Sequence, residues 1–211
     1  MESIGKVLNY RKKFIVIFAV AVALLAGIFS FTQPLKYSAS IRLLITQKAA
    51  FTLDPYTAIR STELLGENLA QLIKTSSFLD RVLQSGYKID TSYFRISDNL
   101  TERQRRKLWS QTIDAAQVRG TGILEITAYH PNRDEALKLV AASAFLLSSQ
   151  GSEYVGRDIN VRLVDAPLAS RFPVKPNIPL NMAVGGLVGV LAASAWVAVG
   201  HRKQRHHGKM L

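Results

Sequence analysis

Two uncharged apolar runs, Phe14–Thr32 and Met182–Gly200, bracket a stretch in which apolar and polar positions alternate or recur at helical spacing. Each run has about the 20 residues a helix needs to cross a bilayer core, which predicts two membrane helices carrying one polar domain. A cleavable signal peptide competes for the first run, with its basic flank and small residues near Ala26-Gly27. The run is longer than the usual ~7–15-residue signal core, however, and a second run follows. The predicted organisation is a basic tail over residues 1–13, a first span over 14–32, an exported domain over 33–166, a proline-rich segment over 167–179, a second span over 180–200 and a basic tail over 201–211.

Between the spans, Tyr37–Thr46 alternates with Tyr37, Ala39, Ile41, Leu43 and Ile45 on one face, the signature of a half-buried strand. A polar loop with Asp54-Pro55 leads to Leu65, Leu69, Leu72 and Ile73 at helical spacing. A Thr75-Ser76-Ser77 break follows, and Ser77 is placed to cap a short helix over Phe78–Gln84. After the turn-rich residues Gly86–Asn99, Thr101-Glu-Arg-Gln104 is a capping-box pattern opening a basic helix to about Ile113. Ala116–Tyr129 reads as two short strands, or one interrupted at Gly120-Thr-Gly122, with Leu124, Ile126 and Ala128 facing inward. Asn132 with Glu135 three residues on opens a further helix with the stripe Leu137, Val140, Ala141, Ala144 and Leu147, too short in uncharged residues to span a bilayer. Ile159–Asp165 is a last strand, turning at Ala166-Pro167.

The first strand leaves one span and the last returns toward the other, so pairing them antiparallel closes the domain. The expected fold class is α/β, more exactly an α+β, ferredoxin-like exported domain between two transmembrane helices.

Charge sets the orientation. Lys6, Arg11, Lys12 and Lys13 precede the first span, and Arg202, Lys203, Arg205 and Lys209 follow the second. Short basic flanks stay inside, which places both termini in the cytoplasm and the domain in the periplasm or exterior. The net charge of +12 would fit a nucleic-acid binder, but about +7 of it sits in the two tails, where it suits an anionic leaflet. No nucleic-acid partner is expected. The chain has no cysteine, so an exported domain must rely on its core without disulfides or thiolate metal sites.

Small residues recur every four positions in both spans, as Ala19, Ala23 and Gly27 and as Gly185, Gly189 and Ala193. Such stripes let membrane helices approach closely, within one chain or between chains. Pro173, Pro176 and Pro179 recur every third residue, matching polyproline II, so Phe172–Pro179 is expected to be a stiff extended segment, with Pro179 starting the second span.

Candidate chemistry is sparse. His201, His206 and His207 lie among Arg and Lys with no carboxylate or thiolate, and a juxtamembrane charge cluster outweighs a metal site. His130 precedes a proline at a helix start and reads as a turn residue. Asp134 and Glu135 are adjacent, so a helix points them about 100° apart, and helix-dipole or capping roles outweigh paired acid–base work. No serine has a nucleophile-elbow context, and no phosphate-loop motif is present. No cofactor, metal or catalytic residue is expected. Arg103, Arg105, Arg106 and Lys107, beside Trp109, form a basic helix face: a solvated surface, or a candidate interaction surface for an acidic neighbour, lipid phosphate or anionic glycan.

Several pieces in order resemble a known family: a first span after a short basic tail, Lys36-Tyr-Ser-Ala39, the Gly122–Ala136 stretch Gly-Ile-Leu-Glu-Ile…His-Pro-Asn-Arg-Asp-Glu-Ala, Val164-Asp-Ala-Pro167, and the proline repeat against a second span. Together they resemble the polysaccharide co-polymerases, the Wzz-type chain-length determinants. The resemblance implies an oligomeric bacterial inner-membrane protein that controls the length of O-antigen, capsule or exopolysaccharide made by a Wzy-type polymerase. Its implied partners are further copies in a ring, the polymerase and the lipid-linked glycan. The chain departs from larger members in its smaller exported domain and in a tail of about eleven residues without the fused tyrosine kinase of some members. A compact domain without a kinase also resembles membrane adaptors that activate a separate tyrosine autokinase. A sensor or scaffold binding an envelope partner is a third reading.

Overall fold

The computed structural model describes residues 11–47, 54–94, 101–155 and 159–207. The tail residues 1–10 and 208–211, part of the loop before Asp54 and the end of the turn-rich stretch after Phe94 lie outside the described residues, as do the side chains of His201, Arg202, Lys203, Arg205, His206 and His207. Two units result. One spans Lys36–Val174, and the other joins the chain before Lys36 to the chain after Val174.

In the Lys36–Val174 unit, β1 (Tyr37–Gln47) buries Ala39, Ile41, Leu43 and Ile45 and turns its even-numbered positions away, as the alternation predicts. Asp54 caps α2 (Pro55–Ile73) by accepting from the Thr57 N–H at 3.0 Å, with Pro55 in the first turn. The next helix, α3 (Ser76–Gln84), begins before the expected position. Thr75, not Ser77, caps it, accepting from the Phe78 N–H at 3.3 Å, because Ser76 is already helical and buried. A 3-10 turn, Thr91–Phe94, precedes α4 (Glu102–Thr112), whose capping box forms with Gln104 Oε1 accepting from the Thr101 N–H at 2.9 Å.

β2 (Ile113–Gln117) follows α4 without a loop, and β3 (Ile123–His130) returns beside it, so the interrupted stretch is two strands. Gly120 has φ +73°, which makes the connecting turn permissible, and its N–H donates to Glu63 of α2, tying the hairpin tip to the helix layer. α5 (Arg133–Val155) crosses back to β4 (Ile159–Leu163), and a short β5 (Leu168–Ala169) completes the sheet.

The sheet order is β2-β3-β1-β4, every pair antiparallel, with β5 also on β1. Strand, helices, hairpin, helix, strand in this order is the ferredoxin-like arrangement. The first and last main strands pair, with Leu43 opposite Leu163 and Ile45 opposite Val161. On the helix-covered face, Ala39, Ile41 and Leu43 sit opposite Ala128, Ile126 and Leu124. The reverse face carries Ser40 opposite Thr127, and Arg42 opposite Glu125 with their side chains 3.6 Å apart. Each fully buried Leu or Ile in this layer contributes roughly 1.5–3 kcal/mol.

Helix α5 is the lid of that core, but its buried face differs from the expected stripe. Ala136, Leu139, Val140, Ser143 and Leu147 are buried, with Ala142, Ala144 and Leu146 alongside, whereas Leu137 and Ala141 are only half-buried. The helix packs on the sheet and also against α2 and α3, so apolar positions on two faces are consumed. Glu135 is not half of a capping box. Asn132 Oδ1 accepts from the Asp134 N–H at 2.8 Å, while Glu135 reaches across to accept from the Asp90 N–H at 2.8 Å and pairs with Lys138 at 2.7 Å. Its dipole-compensating place in the first turn remains.

The other unit is a pair of helices, α1 (Lys12–Ser30) and α6 (Ile178–His207), packed along one another.

Candidate functional site: the helix seam, the proline segment and the basic face

Both α1 and α6 contain windows long and apolar enough to cross a bilayer core, over Lys12–Ser30 and Ile178–Val199. Only 22% and 17% of those windows are buried, unlike the core helices of a soluble fold. Leu24, Leu25, Ile28 and Phe29 on α1 and Leu187, Leu191 and Trp196 on α6 point outward, as lipid-facing side chains do.

The small residues meet within one chain. An added Cβ at Gly185 would lie 2.7 Å from Ala26 Cβ, and one at Gly189 would lie 2.8 Å from Ala19 Cα. At the other end, Gly27 faces Met182, whose Cγ would be 3.1 Å from an added Cβ. Ala19 and Ala193 are buried, and Ala23 lies 3.4 Å, at its Cα, from the Gly185 position. The two backbones thus approach where side chains are absent, the condition for dispersion-driven helix packing in lipid. The sequence reading missed a polar contact here: Asn181 Nδ2 donates to Ser30 Oγ at 2.8 Å, and Ser30 Oγ donates to the Ala26 carbonyl at 3.0 Å. A polar side chain at the end of one apolar run and the start of the other was the available signal.

The proline segment is not one polyproline II helix. The chain bends at Phe172 and Pro176, and Ile178 and Pro179 are already helical, while Ser170 N–H donates to the Ser38 carbonyl at 2.7 Å and Val174 N–H to that of Lys36 at 2.8 Å, so the chain after β5 runs along β1. The Lys175–Pro176 peptide is cis. Pro167 sits half-buried just before β5, and Pro173 is exposed. Pro179 lies inside the first turn of α6, which Asn177 caps by accepting from the Leu180 N–H at 3.2 Å. The sheet takes in residues past 166, and its unit runs to Val174.

The basic face of α4 divides. Arg105 is half-buried, 2.5 Å from Asp80 of α3 and 3.5 Å from Glu102. Its bond to Asp80 holds the guanidinium still more firmly charged than usual. Trp109 is fully buried and donates its indole N–H to the Ile73 carbonyl at 2.7 Å, fixing α4 on the end of α2. Arg103, Arg106 and Lys107 are exposed and have no ion-pair partner among the described residues. The spacing alone did not separate the structural arginine from its neighbours.

His130 is the buried last residue of β3 rather than a turn residue. Its Nδ1 accepts from the Asn132 N–H at 3.0 Å, and its ring meets Tyr93 edge-on at 4.3 Å. Burial holds its pKa below the ordinary value. Among the described residues, no three His, Asp or Glu side chains gather in a way that could hold a metal ion.

Residues 2–85, which take in α1, β1, α2 and α3, match the family model described as Wzz, chain length determinant protein. No curated protein matches the chain. The family match supports a chain-length-determinant role in polysaccharide synthesis, and with the two apolar helices it fits an inner-membrane protein.

Proposed function

Taking the chain-length-determinant match of residues 2–85 as premise, we propose that this protein is a polysaccharide co-polymerase that sets the length of a surface polysaccharide made by a Wzy-type polymerase. The observation that carries the reading is that this match opens on one apolar helix of a chain that folds into a ferredoxin-like domain and a packed pair of such helices. Both termini lie in the cytoplasm and the domain in the periplasm, as the basic flanks favour. Copies assemble in a ring whose geometry is set by the helix seam and the proline segment, and the ring holds polymerase and lipid-linked glycan together, without catalysis of its own. The exposed Arg103, Arg106 and Lys107 are its candidate contact with an acidic partner.

The test is deletion of the gene in its native host, with the surface polysaccharide sized on a gel against a complemented strain. The expected result is loss of a defined modal length with polymer still made. Complete loss of polymer with an autokinase co-purifying would move the role to a kinase adaptor, and an unchanged profile would overturn the regulator reading.

A further inference from the structure

Among the described side chains of helix α5, one large apolar residue is exposed. Leu139, Leu146 and Leu147 are at most 4% exposed, whereas Phe145, between them, is 49% exposed. It borders an open cleft of about 430 Å³ between α3 and α5, lined by Arg81, Gln84, Ser85, Phe145, Leu146 and Gln150. That volume falls in the ~300–1,000 Å³ range of small-molecule sites.

A second exposed ring adjoins Phe145 beside the cleft. Tyr87 packs against Phe145 with ring centroids 6.0 Å apart. It sits between Gly86, at φ +83°, and Lys88, at φ +44°, the sole non-glycine residue of positive φ among those described. An unfavourable lysine conformation kept in place beside a cleft is the kind of local cost that persists at functional sites. Lys138 of α5 donates to the Lys88 carbonyl at 3.3 Å, so the turn is tied to the helix that carries Phe145.

The polar wall is made of planar groups. Gln84 is exposed, and its amide makes no hydrogen bond among the described residues. Gln150 accepts from Arg81 Nη1 at 3.3 Å, leaving its amide hydrogens to donate. Arg81 lies 4.8 Å from the Tyr154 ring centroid and 3.6 Å from Glu153, so its charge is compensated in place. A pyranose has an apolar C–H face and an edge of hydroxyls that both donate and accept. Two adjoining rings beside two amides, with no uncompensated charge, complement it.

We propose that this α3–α5 cleft binds a neutral hexose unit of the polysaccharide, its C–H face on Phe145 and Tyr87 and its hydroxyls on Gln84 and Gln150. The proposal rests on the chain-length reading and gives it a contact with the glycan itself. A ring of subunits bearing such a site would hold a growing chain at several points, where weak single contacts add through effective concentration.

The probe is a set of oligosaccharides released by mild acid from the host's own surface polysaccharide, offered to the full-length protein in lipid nanodiscs and followed by saturation-transfer NMR. Transfer to sugar C–H protons is expected with the wild type, at least about fivefold weaker in Phe145→Ala, in line with the loss of one aromatic contact. Gln84→Ala/Gln150→Ala should weaken it similarly. Tyr56→Ala, removing an exposed ring outside the cleft, should leave it intact. No transfer to the wild type, or equal transfer to the cleft variants, overturns the proposal. So does dispersal of the oligomer by Phe145→Ala, which would make the cleft a contact between copies. Binding and gene deletion fail separately: a deletion that alters length without any binding leaves the regulator reading standing and sinks the cleft, and binding through the cleft with unaltered length does the reverse.

Discussion

Asn181, in the first turn of α6, donates its side-chain amide at 2.8 Å to the hydroxyl of Ser30, the last residue of α1. Ser30 is 2% exposed, so this bond closes the seam at the end where the spans join the rest of the chain. In lipid, interhelical hydrogen bonds of this kind contribute about 0.6 kcal/mol and at most roughly 2. Asn181→Leu should therefore lower the thermal midpoint of the detergent-solubilised chain by a few degrees without stopping insertion, as read by circular dichroism and membrane fractionation. An unchanged midpoint would mean that the bond adds nothing to the seam.

Close approach of the two helices makes a stricter prediction. A Cβ at Gly186 would lie 3.7 Å from Ala23 Cβ, inside the ~3.5–4.5 Å span of a disulfide. The natural chain has no cysteine to interfere. Ala23→Cys/Gly186→Cys should oxidise to a bridge within one chain, seen as faster migration at monomer size on a non-reducing gel. Adding Gly189→Leu, whose side chain would enter the space held by Ala19, should suppress that bridge. A dimer-sized band instead would mean that the seam forms between copies.

The basic helix α4 should respond position by position. Arg105→Ala removes the pairing with Asp80 and Glu102 and should destabilise the domain by about 1 kcal/mol, measured by thermal melting. Glu substitutions at the exposed Arg103, Arg106 and Lys107 should leave the midpoint unchanged and alter oligomer assembly or glycan length. If stability falls as much with those three, the division between structural and exposed residues is wrong. If neither assembly nor length changes, the three are only a solvated surface.

His130 gives the domain a pH dependence whose sign follows from burial. Its folded pKa lies below the unfolded value of about 6.5, chiefly through desolvation, with the Asn132 backbone hydrogen bond and the charges of Glu135 and Asp90 opposing the shift and Lys36 adding to it. The unfolded chain therefore binds more protons between the two pKa values. The contribution of His130 is fully present above pH ~6.5 and declines as pH falls through the folded pKa. Protonation also removes the acceptor that Nδ1 offers Asn132 at the start of α5. Urea titrations of wild type and His130→Gln should converge as pH drops from 7.5 to 5. Parallel curves would show that His130 does not titrate on unfolding in this range.

What the sequence settled by itself was whatever depends on local periodicity. The alternation of Ala39, Ile41, Leu43 and Ile45 fixed the buried face of β1, the capping box at Thr101 and Gln104 fixed the start of α4, and two uninterrupted apolar runs fixed the long helices. Pairing of the first and last main strands also followed, because chain direction leaves little alternative. Tertiary structure decided what depends on a partner distant in sequence. Arg105 differs from Arg106 only because Asp80 stands opposite it, Glu135 left its own helix end for the Asp90 amide, and α5 buries two faces because α2 and α3 share it with the sheet. Likewise Ser170 and Val174 are held by the carbonyls of Ser38 and Lys36, partners distant in sequence that the proline repeat does not reveal. Periodicity is a property of neighbours along a chain, and a side chain's partner is a property of the packed molecule, so the first was legible in the residues and the second was not.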